Sequence, residues 1–254
     1  MRVSLIQTSL IWEDPQANRA NFEKLINGIE ATDLIILPEM FATGFTMSPI
    51  SAAEIMKGDS VAWMKQMAAL KSCAITGSLA INENGKYYNR LLFVLPDGKT
   101  ETYDKRHLFS LAGEEKAYTA GSEKLIIGYK GWKICPLVCY DLRFPVFARN
   151  VEEYDLLLYV ANWPSPRIFA WDALLKARAI ENMCYVAGVN RIGEDANGHP
   201  YPGHSQIVDC LGATVIDAEN DDGVFTVEMD RDKMLEIRAR FGFLNDRDRF
   251  TLQD

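Results

Sequence analysis

Positive charge is in short supply in this chain. Across 254 residues, 27 Lys and Arg stand against 35 Asp and Glu, a formal net charge of −8. No basic tract or aromatic-interleaved basic patch breaks that balance, so no nucleic-acid partner is expected. Long apolar runs are also missing. Nothing approaches the roughly 18 apolar residues of a membrane helix, and residues 1–7 alternate like a strand before turning polar, too early for a signal-peptide core. No membrane association is expected. Histidine is limited to His107, His199 and His204, none paired at a metal-ligand spacing. There is no Gly-x-Ser-x-Gly elbow, no P-loop and no Gly-x-Gly-x-x-Gly, which removes the commonest serine-hydrolase and nucleotide-binding schemes. The five cysteines (Cys73, Cys135, Cys139, Cys184 and Cys210) are an odd number and mostly lie in apolar stretches. Free thiols in a cytoplasmic protein fit that usage.

What is present is a globular α/β composition, 48% hydrophobic, with no repeat, linker or low-complexity segment, so a single domain over 1–254 is expected. Strand-like runs fall at 3–7, 34–37, 74–81, 88–95, 100–103, 124–127, 133–138, 156–160, 185–190, 205–208 and 224–229. Helix-like segments fall at 18–28, 60–71, 145–152 and 166–182. For the last, Ser165 is the expected cap, Pro166 the first helical residue, and Trp171, Leu174, Leu175, Arg178 and Ala179 one stripe. Turns at Asn84-Gly85, Asp97-Gly98 and Lys130-Gly131 punctuate the middle. Alternating βα units mixed with hairpins predict mixed sheets with helices outside.

Three of these runs end in a reactive side chain: Glu39, Lys105 and Cys139. A thiol attacks a carbonyl once a base has taken its proton, and an ammonium can hold the oxyanion that forms. Each residue also has an ordinary reading. Cys139 is one more buried cysteine, Glu39 half of a strand-end ion pair, Lys105 a solvated lysine, and Glu114 and Glu115 exposed loop charges. Context separates Cys139 from the others, because Val138-Cys139-Tyr140-Asp141-Leu142-Arg143-Phe144-Pro145 leaves a strand and enters a helix, the kind of turn that displays nucleophiles. Cys135 lies four residues earlier on the same strand, about 13 Å away, too far for a disulfide. His107 or His204 as the base of a Cys–His pair is an alternative to Glu39.

The blocks Leu37-Pro-Glu39-Met-Phe41, Tyr103-Asp-Lys105-Arg-His-Leu-Phe109 and Leu137-Val-Cys139-Tyr-Asp-Leu-Arg-Phe-Pro145 resemble, in order and spacing, the three catalytic blocks of the nitrilase (carbon–nitrogen hydrolase) superfamily. The likeness continues through Tyr159-Val-Ala-Asn162-Trp-Pro164 and Ala177-Arg-Ala-Ile-Glu181-Asn182 and so covers nearly the whole chain. It implies a four-layer α-β-β-α sandwich that pairs into a homodimer, with Glu39 as general base, Lys105 as oxyanion lysine, Cys139 as nucleophile and the Tyr140 backbone N–H as second oxyanion donor. A second glutamate of the family would fall at Glu114, with Glu115 one residue away. No metal or organic cofactor is implied. Within the superfamily, Cys139–Pro145 with Ala161–Pro164 is similar to the ω-amidase group, whose substrates are 2-oxo acid amides carrying a carboxylate. Arg143, Asn162, Trp163 and Arg167 are the candidate substrate contacts, Arg143 alternatively pairing with Asp141. Other short aliphatic amidases, N-carbamoyl amine hydrolases and a catalytically silent binding protein are the competing functions.

Overall fold

Val138, Leu156–Val160 and Tyr185–Val189 sit in near-continuous apolar runs, the pattern of parallel strands buried on both faces. A computed structural model, which describes residues 1–252, places these runs in the middle of a sheet. The strands in chain order are β1 (Arg2–Gln7), β2 (Leu34–Ile36), β3 (Ala74–Glu83), β4 (Lys86–Val94), β5 (Thr100–Asp104), β6 (Ile127–Tyr129), β7 (Trp132–Val138), β8 (Leu156–Ala161), β9 (Tyr185–Asn190), β10 (Ile192–Glu194), β11 (Pro200–Pro202), β12 (Gln206–Val208), β13 (Thr214–Asp217) and β14 (Gly223–Glu228). The α-helices are α1 (Pro15–Asn27), α2 (Pro49–Ala52), α3 (Asp59–Lys71), α4 (Glu114–Ala117), α5 (Pro145–Ala148), α6 (Ile168–Asn182) and α7 (Arg231–Phe241).

One six-stranded sheet has the order β14-β1-β2-β3-β4-β5, the other β13-β12-β9-β8-β7-β6, and β10 pairs with β11 as a separate hairpin. β1, β2 and β3 run parallel, as do β7, β8 and β9, and the flanking strands join them antiparallel. Side-chain alternation sorts the layers. Val3, Leu5, Leu34 and Ile36 share one core with Leu137, Leu156 and Leu158 of the second sheet. Ile35 and Ile75 point the other way and pack with Phe22 and Ile26 of α1 and Met64 and Met67 of α3. Each such side chain, fully buried, contributes about 1.5–3 kcal/mol. On the far side α6 buries Trp171, Leu175, Arg178 and Ala179. The result is the expected helix–sheet–sheet–helix sandwich. No helix among the described residues is long and apolar enough to cross a membrane.

The structure corrects several expectations. The run at 124–127 is strand only at its last residue, because Lys130 and Gly131, both at positive φ, make a tight hairpin whose register, Tyr129 opposite Trp132, places β6 later. The helix expected at 145–152 stops at Ala148, and Asn150 is drawn into hydrogen bonds with Asn182 and the Tyr154 carbonyl instead. Ser165 does not cap α6. It opens a 3-10 turn, Ser165–Arg167, and the α-helix begins at Ile168 with Arg167 as an N-cap that makes no side-chain bond. The hairpin β10–β11, the strand β13 and the helix α7 were not anticipated. α7 carries its own signals nonetheless: Asp230 accepts the Lys233 N–H as N-cap, Arg238 and Arg240 occupy the last turn, and Gly242 ends it at positive φ.

Candidate active site

Backbone geometry delivers three side chains from strand ends to one place. After β2, the Leu37 N–H donates to the Thr76 carbonyl at 2.8 Å, and the Met40 N–H donates to Ser78 Oγ at 2.9 Å. Met40 takes φ 44°, turning the chain so that Glu39 points inward and is fully buried. Gly77 lets that turn approach β3, since a Cβ there would lie 2.9 Å from Leu37 Cβ. After β5, the Lys105 N–H donates to the Asn89 carbonyl at 3.0 Å, and the Lys105 carbonyl accepts from Gly121 at 3.0 Å. A Cβ on Gly121 would meet the Asp104 carbonyl oxygen at 2.2 Å, so only glycine brings that strap alongside.

After β7, Cys139 adopts φ 45°, a left-handed conformation that costs a non-glycine residue about 1–3 kcal/mol. Asp141 holds it there. Its buried carboxylate accepts from the Val138 N–H at 2.9 Å, the Tyr103 hydroxyl at 2.8 Å and the His107 N–H at 3.0 Å, with His107 Nδ1 at 2.8 Å. His107 also stacks on Phe144 with ring centroids 3.6 Å apart. His204 lies against Asp172. Both histidines are thus engaged with aspartates, and the carboxylate that acts most strongly on the thiol is Glu39.

Lys105 Nζ lies 3.0 Å from Glu39 Oε1 and 2.8 Å from Glu114 Oε2, with all three side chains buried. Asn89 Nδ2 donates to both carboxylates, at 2.8 Å and 3.1 Å. The Asn162 N–H donates to Glu39 Oε2 at 2.8 Å, its Nδ2 donates to the Glu39 carbonyl at 2.7 Å, and Cys139 Sγ lies 3.9 Å from the Asn162 carbonyl. Glu114 also accepts from the Phe109 N–H at 2.6 Å, whereas Glu115 is exposed.

Two carboxylates and one ammonium leave this buried group with a surplus negative charge. Burial works against the Lys105 ammonium, but Glu114 and Glu39 outweigh it and hold its pKa above the ordinary lysine value. Burial raises the Glu114 carboxyl against the opposing pull of Lys105, and Glu39 adds to the rise. Burial also pushes the Cys139 thiol well above its usual value, with Glu39 adding and Lys105 subtracting. Burial thus favours the thiol over the thiolate, and a thiol needs a base to attack.

Cys139 opens onto a cavity of about 620 Å³. Tyr140, Arg143, Asn162, Trp163 and Arg167 all line it. Arg143 does not pair with Asp141, whose oxygens are taken. Its guanidinium lies over the Trp163 ring at 5.0 Å, and Arg167 lies over Phe109 at 5.0 Å. Tyr140 stands in the first turn of a 3-10 helix, Cys139–Arg143, where backbone N–H groups have no partner within the helix. Asn89 of β4, between Tyr88 and Arg90, and the wall residues Asp195 and Tyr201 of the β10–β11 hairpin were missed from the sequence, where none of them stands out. Among the described residues no group of three or more His, Cys, Asp or Glu is arranged to hold a metal ion.

The comparisons with known proteins bear on this arrangement. Omega-amidase YafV of Yersinia enterocolitica is 45% identical over 99% of this chain and 98% of its own length. The 2-oxoglutaramate amidase of Bacillus subtilis is 31% identical over 96% of each. Among solved structures, XC1258 of Xanthomonas campestris, a CN-hydrolase superfamily protein with an arsenic adduct in its active site, superposes with a TM-score of 0.98 at 46% identity, covering 100% of this chain and 99% of that one. Nit3 of Saccharomyces cerevisiae shares the fold with a TM-score of 0.85 at 24% identity, covering 95% and 94%. The carbon–nitrogen hydrolase family pattern matches residues 2–239, a span that takes in both sheets and every residue of the buried group, and the chain belongs to that family.

Proposed function

We propose that this protein is an ω-amidase that hydrolyses the terminal amide of 2-oxoglutaramate or 2-oxosuccinamate to the 2-oxo dicarboxylate and ammonia. The observation that carries the chemistry is the buried Glu39–Lys105–Glu114 group beside Cys139 at the mouth of a cavity. The names of the relatives and the two cavity arginines support the substrate.

In this mechanism Glu39 takes the proton from Cys139 Sγ, and the sulfur attacks the amide carbon. Lys105 and the Tyr140 N–H stabilise the oxyanion. The tetrahedral adduct collapses as Glu39 gives its proton to the leaving nitrogen, so ammonia departs and a thioester remains. Glu39 then takes a proton from water, the hydroxide attacks the thioester, the C–S bond breaks to release the acid, and Glu39 returns its proton to the sulfur. Glu114 and Asn89 hold Lys105 and Glu39 in register throughout. We further propose that the chain works in the cytoplasm as one domain and as a homodimer, a state that fits the exposed Val146, Phe169 and Ile180 on α5 and α6.

Ammonia release from 2-oxoglutaramate, glutamine, hexanamide and an N-carbamoyl amine tests the assignment. The oxo-amide is expected to be turned over with the highest kcat/KM. Turnover of another member of that panel with none of the oxo-amide would overturn it. A second expectation concerns the substrate carboxylate. Arg143→Leu is expected to raise KM for 2-oxoglutaramate about 10- to 100-fold, the equivalent of the 1.5–3 kcal/mol of a hydrogen bond to a charged group. For neutral hexanamide, kcat/KM should move less than about twofold. Equal losses on both substrates would remove Arg143 from the carboxylate site.

A further inference from the structure

Arg191, directly after β9, is fully buried, and no carboxylate among the described residues forms an ion pair with it. A cation held in the interior without an anion is costly, and a neutral side chain of similar volume would avoid that cost. Its hydrogen bonds show what it does instead. Nη2 donates to the Leu10 carbonyl at 3.2 Å and the Glu194 carbonyl at 3.1 Å, and Nε donates to the Ile192 carbonyl at 3.1 Å. Nη1 is buried with no hydrogen-bond partner and faces Gly44, where an added Cβ would lie 3.7 Å from it. The guanidinium plane lies over the Tyr201 ring, 4.7 Å from its centroid.

Each of these contacts leads to the cavity. Leu10 precedes the wall residue Trp12, Gly44 precedes the wall segment Phe45–Ser48, and Glu194 precedes the wall residue Asp195. Tyr201 is itself a wall residue, and its hydroxyl donates to Asp195 at 2.9 Å. Asp195 in turn accepts from the Asn197 and His199 N–H groups at 2.8 Å and 3.1 Å. Phe45 carries the arrangement to the chemistry, because its ring lies 5.1 Å from Lys105 Nζ. A two-stranded hairpin as short as β10–β11 is marginal by itself and needs such an anchor. One planar guanidinium therefore reaches three separate stretches of chain that lead into the cavity lining.

We propose that Arg191 is a positioning residue for the substrate, its guanidinium setting the distance between the Asp195–Tyr201 hairpin and the loop that follows Glu39 so that the amide is held against Cys139. This rests on the amidase reading above. Misplacement of a bound group by about 1 Å can cost about 100-fold in rate, and here the loss should appear in binding the substrate rather than in the reactivity of the thiol.

The test compares Arg191→Met, Arg191→Lys and Tyr201→Leu with the unaltered protein in two assays: hydrolysis of 2-oxoglutaramate, and alkylation of Cys139 by iodoacetamide, a probe small enough not to need the walls. Arg191→Met and Tyr201→Leu are expected to raise KM by about 10-fold or more while the alkylation rate stays within about twofold. Arg191→Lys keeps the charge but loses the planar fork, so it should resemble Arg191→Met. An unchanged KM in the folded variants would overturn the proposal. So would alkylation that slows in parallel with KM, which marks general damage, or a lysine variant that matches the unaltered protein, which assigns the effect to charge alone. If Arg191→Met does not fold, Arg191→Lys and Tyr201→Leu decide the matter. If the unaltered protein does not hydrolyse 2-oxoglutaramate, the substrate assignment fails, and the same KM comparison is made with hexanamide or the amide of the panel that is turned over.

Discussion

Replacing Cys139 with alanine is expected to bring amide hydrolysis to background while leaving the fold intact. Under the proposed thioester mechanism the sulfur forms the only covalent bond to substrate, and loss of a nucleophile of this kind costs on the order of 10⁶-fold in kcat. The fold should tolerate the change because the left-handed turn is held by Asp141, whose hydrogen bonds to Val138, Tyr103 and His107 do not involve the sulfur. Cys135→Ala is the matched control. Cys135 lies on β7, the strand that leads into Cys139, fully buried in the inter-sheet core, and burial pushes its thiol well above the usual value. It is expected to keep full activity and lose stability by about 1 kcal/mol, the scale of a small core truncation. Ammonia release and thermal melting measured on both variants separate the cases. Activity surviving in Cys139→Ala would exclude a cysteine thioester.

Lys105→Met is expected to cost activity and stability together. The ammonium is the sole cation between Glu39 and Glu114, and its removal leaves two buried carboxylates joined only through Asn89. Removing one partner from a buried ion pair typically costs about 3–5 kcal/mol. The pair would relieve its repulsion by holding a shared proton. Under the proposed mechanism a proton on Glu39 disables it as a base, and the oxyanion loses its charged donor, itself worth about 10²- to 10³-fold. A loss of 10³-fold or more in kcat is therefore expected at neutral pH. Pairing the change with Glu114→Gln removes the surplus charge and should recover much of the stability without recovering activity, a non-additivity that a urea denaturation series reads directly. A Lys105→Met variant as stable as the unaltered protein would mean that the three groups are not electrostatically joined.

The two halves of the fold were not equally legible. The buried parallel strands announced themselves because an unbroken apolar run has few alternatives, and α6 because its stripe from Trp171 to Ala179 keeps helical period. The linear blocks around Glu39, Lys105 and Cys139 were readable for the same reason, since each follows a strand whose end is fixed by its pattern. What escaped is what tertiary contacts impose. Arg191 reads from sequence as an ordinary charge after a strand, and only the fold shows three carbonyls and a tyrosine ring closing on it. The hairpin that carries Asp195 and Tyr201 has strands of three residues among glycine, proline and asparagine, too short for periodicity to register. Asn89 stands beside Arg90, ahead of the apolar run of β4, and only the fold shows it buried between two carboxylates. α7 was hidden by its charge: its one deeply buried residue is Met234, and Arg231 and Arg238 dock it on Asp155.

Glu39, Lys105 and Glu114 belong to the segment built around the first sheet, whereas Cys139 and Asn162 stand at the ends of β7 and β8 in the second. Under the proposed mechanism neither half is competent alone, because the thiol and its base come together only when the sheets dock. Under that mechanism the return of hydrolysis reports the docking of the two sheets. During refolding from denaturant, secondary structure should return ahead of turnover, and any change that slows docking of the two sheets should lengthen the interval between them.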